Sequence, residues 1–288
     1  MTALTEALPF WGAPVTHRFG VAMPLDPGPQ SAELSNAIEK AATEAGCSVV
    51  LADTGDSAAT EADVVRMLRA QCVDGVLLAP AAGDDGVVTE LVRLGVPTVL
   101  VDRVANRNDV DQVGAENIQS TCALVRHLAE RGHRRIGLVS GAPRLASSEE
   151  RALGYRLGLG RAGLRWHREL VSCGESSAGG AAGAAGRLLD EWPRPSALVV
   201  AGEAMMVGVH YEVHRRGLRV GEDLALACFG DTEWARIVDP PLTTMAQPTA
   251  EIGRRAVHLL LSRIGDPDRQ PETVRLAPRF MHRTSCGC

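Results

Sequence analysis

From residue 19 onward, short runs of apolar and β-branched residues alternate with longer stretches whose apolar positions recur every three to four residues. Short continuous apolar runs suit strands covered on both faces, and the longer period suits one-sided helices. Strands are predicted at 19–23, 48–53, 74–80 and 97–102, with helices at 32–45, 61–71 and 86–94 between them. Gly46 stops the first helix, as a glycine just past the last turn commonly does. Residues 105–113 are polar and irregular, as expected of a chain leaving one sheet.

A second series follows, with helices at 117–131, 150–162, 180–191 and 205–216 and strands at 134–141, 170–173, 197–202 and 224–229. The Ala/Gly run at 178–186 continues into Arg187, Leu188 and Leu189, which makes it a glycine-weakened helix rather than a linker. Pro240 and Pro241 fit neither a helix interior nor a central strand, so they mark a break. After them come a strand at 242–246 and a helix at 249–264 with Ile252, Ala256, Val257, Leu259 and Leu260 on its apolar side. Right-handed βαβ crossovers place each series in a parallel sheet covered by helices. The late helix and the strand after it have no room in the second series and return to the first. The fold class is therefore α/β, with two Rossmann-like lobes, parallel sheets and several hinge crossovers. The expected division is a tail at 1–18, an N-terminal lobe of 19–116 plus 249–277, and a C-terminal lobe of 117–248 plus 278–288. Ligands of open α/β sheets bind outside the carboxyl ends of the strands, here across the cleft between lobes.

Composition narrows the function classes. The 288 residues are 45% hydrophobic and 23% charged, with a net charge of −5, which offers no bulk attraction to nucleic acid. The N-terminus lacks a basic start followed by a long apolar run, and no stretch approaches the ~20 apolar residues of a membrane span. A cytoplasmic protein without membrane contact is expected, its seven cysteines reduced thiols without framework spacing. Cys286 and Cys288 could pair or clip a soft metal, but two ligands make a poor site. Eight histidines show no H-E-x-x-H spacing, and G-x-x-x-x-G-K-[ST], G-x-G-x-x-G and G-x-S-x-G are absent where they would carry chemistry. No catalytic set, metal site or cofactor is expected.

Several short motifs occur in a telling order. They are FGVAMPLDPGPQSAEL from Phe19, the Glu116-Asn117 pair, GHRRIGLVSG from Gly132 and EERALGYRLGL from Glu149. PSALVVAGEAMMVGV, PPLTTMAQP and the terminal RFMHRTS complete the series. Together they resemble the effector-binding core of the lactose/galactose-repressor (LacI) family of bacterial transcription regulators, a type I periplasmic-binding-protein-like fold. The resemblance implies that Arg151 reaches into the cleft and forks onto ligand oxygens, a task suited to a rigid planar donor set. It also points to Ser147, Glu116, Gly202, Glu203, Phe229, Gly230, Asp231, Gln30 and Ser31 as ligand contacts. Ser147 could instead cap its helix in a box with Glu150, and Glu116 could merely cap the helix after it.

Three positions depart from the family pattern. Gly230 replaces the Asp that usually follows the strand's aromatic residue, Gly202-Glu203 replaces an Asn-Asp or Ser-Asp pair, and Gln30-Ser31 replaces an aromatic pair. The lost carboxylate favours a sugar acid over a neutral sugar. The family reads operator DNA through an N-terminal helix-turn-helix domain and a hinge helix, whereas only a Pro-rich tail, a poor helix former, precedes the first strand here. The leading expectation is a sensing core that binds a small sugar, polyol or sugar acid and modulates DNA binding of the full regulator. A homodimer is expected from the family and from Leu68, Val88, Leu91 and Leu94 on first-lobe helices. A free-standing solute-binding protein for a transporter is the alternative, and an enzyme ranks third.

Overall fold

The structure is a computed structural model and describes residues 17–25, 28–83 and 85–287. Most of the 1–18 tail, and Cys288, lie outside the described residues. In chain order the strands begin with β1 (Arg18–Met23), β2 (Ser48–Asp53), β3 (Gly75–Leu78), β4 (Thr98–Val101), β5 (Asp111–Ala115) and β6 (Ile136–Ser140). They continue with β7 (Val171–Cys173), β8 (Ala197–Val200), β9 (Ala225–Phe229), β10 (Thr243–Ala246), β11 (Thr273–Leu276) and β12 (Arg279–Met281). The helices are α1 (Pro29–Glu44), α2 (Ala58–Ala70), α3 (Gly86–Arg93), α4 (Ile118–Glu130) and α5 (Ala146–Arg161). Beyond them come α6 (Ala178–Asp190), α7 (Glu203–Arg215), α8 (Glu233–Ile237) and α9 (Thr249–Gly265).

Two separate six-stranded sheets result. The first has the order β11-β5-β4-β3-β1-β2 and the second β12-β10-β9-β8-β6-β7. Each sheet thus places its second strand outside its first and then grows in the opposite direction, with the same topological switch. Every pair in the first sheet is parallel, and in the second only β12 runs antiparallel, against β10. The chain passes from the first sheet to the second after β5, returns after β10, and crosses once more after β11.

Core packing follows the apolar patterns. One face of the first sheet is covered by Leu34 and Ile38 of α1 with Ile252, Leu259 and Leu260 of α9; the other carries Val65, Leu68, Val88 and Leu91 of α2 and α3. In the second sheet, Leu124 and Leu128 of α4, Tyr155 and Leu159 of α5, Leu188 of α6 and Val209 of α7 share one core. Burial of such side chains stabilises by roughly 1.5–3 kcal/mol each before entropy is counted. Helices α4 and α5 approach closely because α5 carries glycines. A Cβ on Gly154 would lie 2.3 Å from Ile118 O, and one on Gly158 would lie 2.6 Å from Val125 Cβ.

Three sequence expectations need correction. Residues 111–115 form β5 instead of continuing an irregular exit, because Asp111 and Gln112 are buried with partners from distant segments. Asp111 takes Arg263 Nε at 2.8 Å, Arg269 Nη1 at 2.9 Å and the backbone N–H of Glu272 at 2.7 Å. Gln112 accepts from Ala105 N at 2.9 Å and donates to Arg107 O at 2.7 Å. The short helix α8 was not foreseen; Thr232 caps it by accepting from Ala235 N at 3.0 Å. Finally, Leu68, Val88 and Leu91 are consumed by their own core and leave only Leu94 of that set exposed, at 38%.

Candidate functional site

The second turn of α5 delivers Arg151 to the carboxyl ends of the second sheet's strands. Its Nε donates to Asn117 Oδ1 at 2.8 Å and its Nη1 to Ala201 O, just past β8, at 2.8 Å. The guanidinium lies over the ring of Phe229, the last residue of β9, 3.9 Å from its centroid. A cation stacked on an aromatic face and held by two hydrogen bonds has little rotamer freedom left to lose on binding. Burial pulls the Arg151 pKa down to about 10, and Asp102 and Glu150 oppose that pull. The side chain therefore stays charged at neutral pH. Asp102 follows β4 of the first sheet and Arg151 belongs to the second, so their charge interaction spans the two.

Asn117 anchors this arrangement, donating through Nδ2 to Glu150 Oε2 at 2.7 Å. Glu150 also pairs with Arg275 of β11, at 2.7 Å from Oε1 to Nη2 and 3.1 Å from Oε2 to Nη1. A continuous polar chain runs from Arg275 on the first sheet through Glu150 and Asn117 to Arg151 on the second. Asp102 has φ +63°, a left-handed conformation at the end of a strand. Gln30 of α1 donates to Asp102 Oδ1 at 3.2 Å. Asn117 stood in the sequence only as part of the Glu116-Asn117 motif and Asp102 as the end of a strand, neither as a ligand contact; their signals were an Asn just before a helix and an Asp closing an apolar strand.

The residues picked from sequence divide into groups. Arg151, Phe229 and Gly202 come together: a Cβ on Gly202 would stand 3.9 Å from Arg151 Nη1. Glu203 opens α7 beside Gly230, whose φ is +110°; a Cβ there would lie 2.9 Å from Glu203 Cβ and 3.1 Å from Glu203 Oε2. The carboxylate missing at position 230 thus has a neighbour in Glu203. Gln30 reaches Asp102, while the Ser31 hydroxyl donates to Gly28 O at 3.1 Å within its own helix turn.

Asp231 points elsewhere. Its side chain is 2% exposed, with Oδ1 2.7 Å from Arg283 Nη1 and accepting from Thr244 Oγ1 at 2.7 Å, while Oδ2 accepts from Arg236 Nε at 3.2 Å. Burial alone would raise its pKa, but Arg283, Thr244 and Arg236 together hold it below the usual carboxylate value. Glu116 caps α4, accepting from Gln119 N at 2.8 Å and Ser120 N at 2.9 Å. Ser147 is buried in the first turn of α5, whose N-cap is Leu145. The capping-box alternative with Glu150 is therefore corrected, since Glu150 is turned to Asn117 and Arg275.

Comparison with known proteins points in one direction. The profile of a periplasmic binding protein-like domain matches residues 125–286. The ribose operon repressor of Escherichia coli (strain K12) is 30% identical over 272 residues, covering 94% of this chain and 82% of the repressor. The transcriptional regulator CelR of Thermobifida fusca is 33% identical over 247 residues, covering 85% of this chain and 72% of CelR. A solved complex of the regulator CelR with cellobiose superimposes with a TM-score of 0.87 at 30% identity, covering 94% of this chain and 85% of that one. A LacI family transcriptional regulator from Mycobacterium smegmatis gives 0.83 at 27% identity, covering 93% and 98%.

Proposed function

The chain belongs to the LacI family of bacterial transcription regulators, and from that premise we propose that its ligand is a neutral, hydroxyl-rich sugar held around Arg151. The relatives are transcriptional repressors, so the chain is a ligand-sensing regulatory core, neither an enzyme nor a transporter's binding protein. The observation that carries the sugar reading is the pairing of a fixed guanidinium with carboxylates on both sides of the cleft. Arg151 offers donors, while Asp102 from the first sheet and Glu203 beside Gly230 offer acceptors. Hydroxyl groups use both kinds of partner, whereas an anion would meet repulsion from two carboxylates. This reverses the preference for a sugar acid drawn from the Gly230 substitution alone. The relatives named for ribose and solved with cellobiose support a sugar as well.

In this reading the two lobes are 19–116 with 249–277, and 117–248 with 278–288. Effector binding between them biases their relative angle, and the full regulator transmits that bias to a helix-turn-helix domain that reads operator DNA. The protein acts as a homodimer in the cytoplasm. No helix among the described residues is long and apolar enough to cross a membrane.

Calorimetric titration with ribose, cellobiose and their aldonic acids tests the ligand class. At least one neutral sugar is expected to bind more tightly than its acid. Arg151→Ala should weaken it by about 2–4 kcal/mol and Glu203→Gln by about 1–2 kcal/mol, since each removes hydrogen bonds to a charged group. Tighter binding of the acids, or affinity unchanged in Arg151→Ala, overturns the reading.

A further inference from the structure

Away from the cleft, the fold brings together three side chains that lie far apart in sequence. His127 is on α4, His282 directly follows β12, and Cys286 lies in the closing 3-10 turn Thr284–Cys286. One ring nitrogen of each histidine and Cys286 Sγ all lie within 4.8 Å of one another. His127 Nε2 is buried and has no hydrogen-bond partner among the described residues. Buried polar atoms are nearly always paired, so an imidazole nitrogen in this state calls for an explanation.

The surroundings give the cluster a fixed shape. The rings of His127 and His282 meet edge to face with centroids 5.0 Å apart, and Phe280 closes another side with its centroid 5.0 Å from that of His127. Cys286 is fully buried and its thiol donates to Arg283 O at 3.1 Å. His133 bonds the backbone of Cys286, and its Nδ1 lies 2.9 Å from Ser196 Oγ, so the turn is tied to the second sheet. His282 is exposed, which leaves a route from solvent to the cluster.

We propose that His127, His282 and Cys286 form a binding site for a borderline-soft divalent cation of the zinc class. Two imidazole nitrogens and one sulfur make a donor set for such an ion, and the absence of carboxylate oxygens among the three disfavours calcium or magnesium. Zinc holds these donors at about 2.0–2.3 Å, which places tetrahedral ligands roughly 3.3–3.8 Å apart. The donor atoms lie within 4.8 Å of one another, and rotation of the exposed His282 side chain closes any excess over that spacing. On binding, the Cys286 thiol gives up its hydrogen bond to Arg283 O and releases its proton to solvent as the metal–sulfur bond forms. Three protein ligands leave a fourth position for water. The bound ion would clamp α4, the first helix after the crossover from β5, to the chain's last strand. The three residues converge through the fold rather than through any sequence spacing, and the ligand set differs from the Cys286–Cys288 pair weighed from the sequence.

The test uses the full chain after chelator treatment, titrated with Zn(II) against a chromophoric chelator and with Co(II) as spectroscopic probe. One equivalent should bind, with a thiolate-to-cobalt charge-transfer absorption in the near ultraviolet. His282→Ala, at an exposed position that leaves the core intact, should weaken binding at least about tenfold. Cys286→Ser should remove the absorption, while Cys72→Ser, at an exposed thiol elsewhere, should leave both measurements unchanged. Should Cys286→Ser fail to fold, His282→Ala decides the matter alone. Binding unaffected by His282→Ala, a charge-transfer absorption that survives Cys286→Ser or is lost in Cys72→Ser, or no stoichiometric binding at all, overturns the site.

Discussion

At the scale of single residues, Arg151 shows how neighbours fix the position and the charge of a side chain. Its donors are aimed by Asn117 and Ala201, its plane rests on Phe229, and its charge is supported by Asp102 and Glu150. Gly230 is the complementary case, where a missing side chain matters. Its φ of +110° is a conformation L residues rarely adopt, and the space a Cβ would need is filled by Glu203. Glu203 and an Asp at position 230 are therefore alternatives rather than additions. Restoring the family's Asp by Gly230→Asp should destabilise the fold by about 1–3 kcal/mol through backbone strain, with like-charge repulsion from Glu203 adding to it. It should also fail to improve sugar affinity. Denaturant unfolding and calorimetry check this together; a variant as stable as the parent would show that Glu203 does not occupy that space.

At the scale of elements, buried ion pairs join segments that the hydrophobic pattern leaves unlinked. Asp111 ties the start of β5 to α9 and to the chain leading into β11, which is how a polar sequence becomes an interior strand. Glu212 of α7 plays a similar part: its side chain is 7% exposed, pairing with Arg215 and Arg216, and Arg216 reaches on to Asp190 of α6 at 2.6 Å. Arg215 first, and then Arg216, hold the Glu212 carboxyl down at about 2, against an ordinary value of 4.5. A depressed folded-state pKa stabilises the protein fully above the unfolded value, and this contribution is lost as pH falls through the folded one. The shift corresponds to about 3 kcal/mol at most, reduced to about 2 by the solvent around Arg215. Glu212→Gln should therefore lower stability near pH 7 by about 2 kcal/mol and flatten the acid dependence between 4.5 and about 2. Unfolding curves across that range measure both effects, and an unchanged acid limb counts against the pair.

For the whole molecule, the two sheets share one topology and are tied by three chain crossings and by the pair Glu150–Arg275. That pair spans the sheets through a polar chain ending at Arg151, so a change in the angle between the sheets must remake it. Association belongs to the same scale. Among the described residues no strand pairs with the outer edge of β2, and Leu51 upon it is 44% exposed, with Met67 of α2 37% exposed. An open strand edge carrying apolar side chains is a surface that proteins normally cover. Sedimentation at micromolar concentration should give a species of twice the chain mass. Leu51→Glu combined with Met67→Glu should shift it toward the single chain. A parent protein that already sediments as one chain removes the homodimer.

Periodicity was enough to read the α/β alternation, both parallel series, and the return of the late helix to the first sheet. Those features depend on apolar positions spaced within a few residues of one another, and the hydrophobic effect acts on that spacing regardless of partner. The motif order pointed to Arg151 and Phe229 through the family resemblance, and the fold brings the two together, with the guanidinium 3.9 Å from the ring centroid. What the sequence could not determine depends on partners far along the chain. Strand β5 needs Arg263 and Arg269 to neutralise Asp111; Glu116 takes the cap of its two readings and Asp231 is an ion-pair partner; Gly230 is matched by Glu203 of α7. His127, His282 and Cys286 converge only when α4, β12 and the last turn pack together. A polar side chain has no fixed preference for surface or interior. Its position is set by whether the fold supplies a counter-charge or hydrogen bond where water has been removed, and only the tertiary structure decides that.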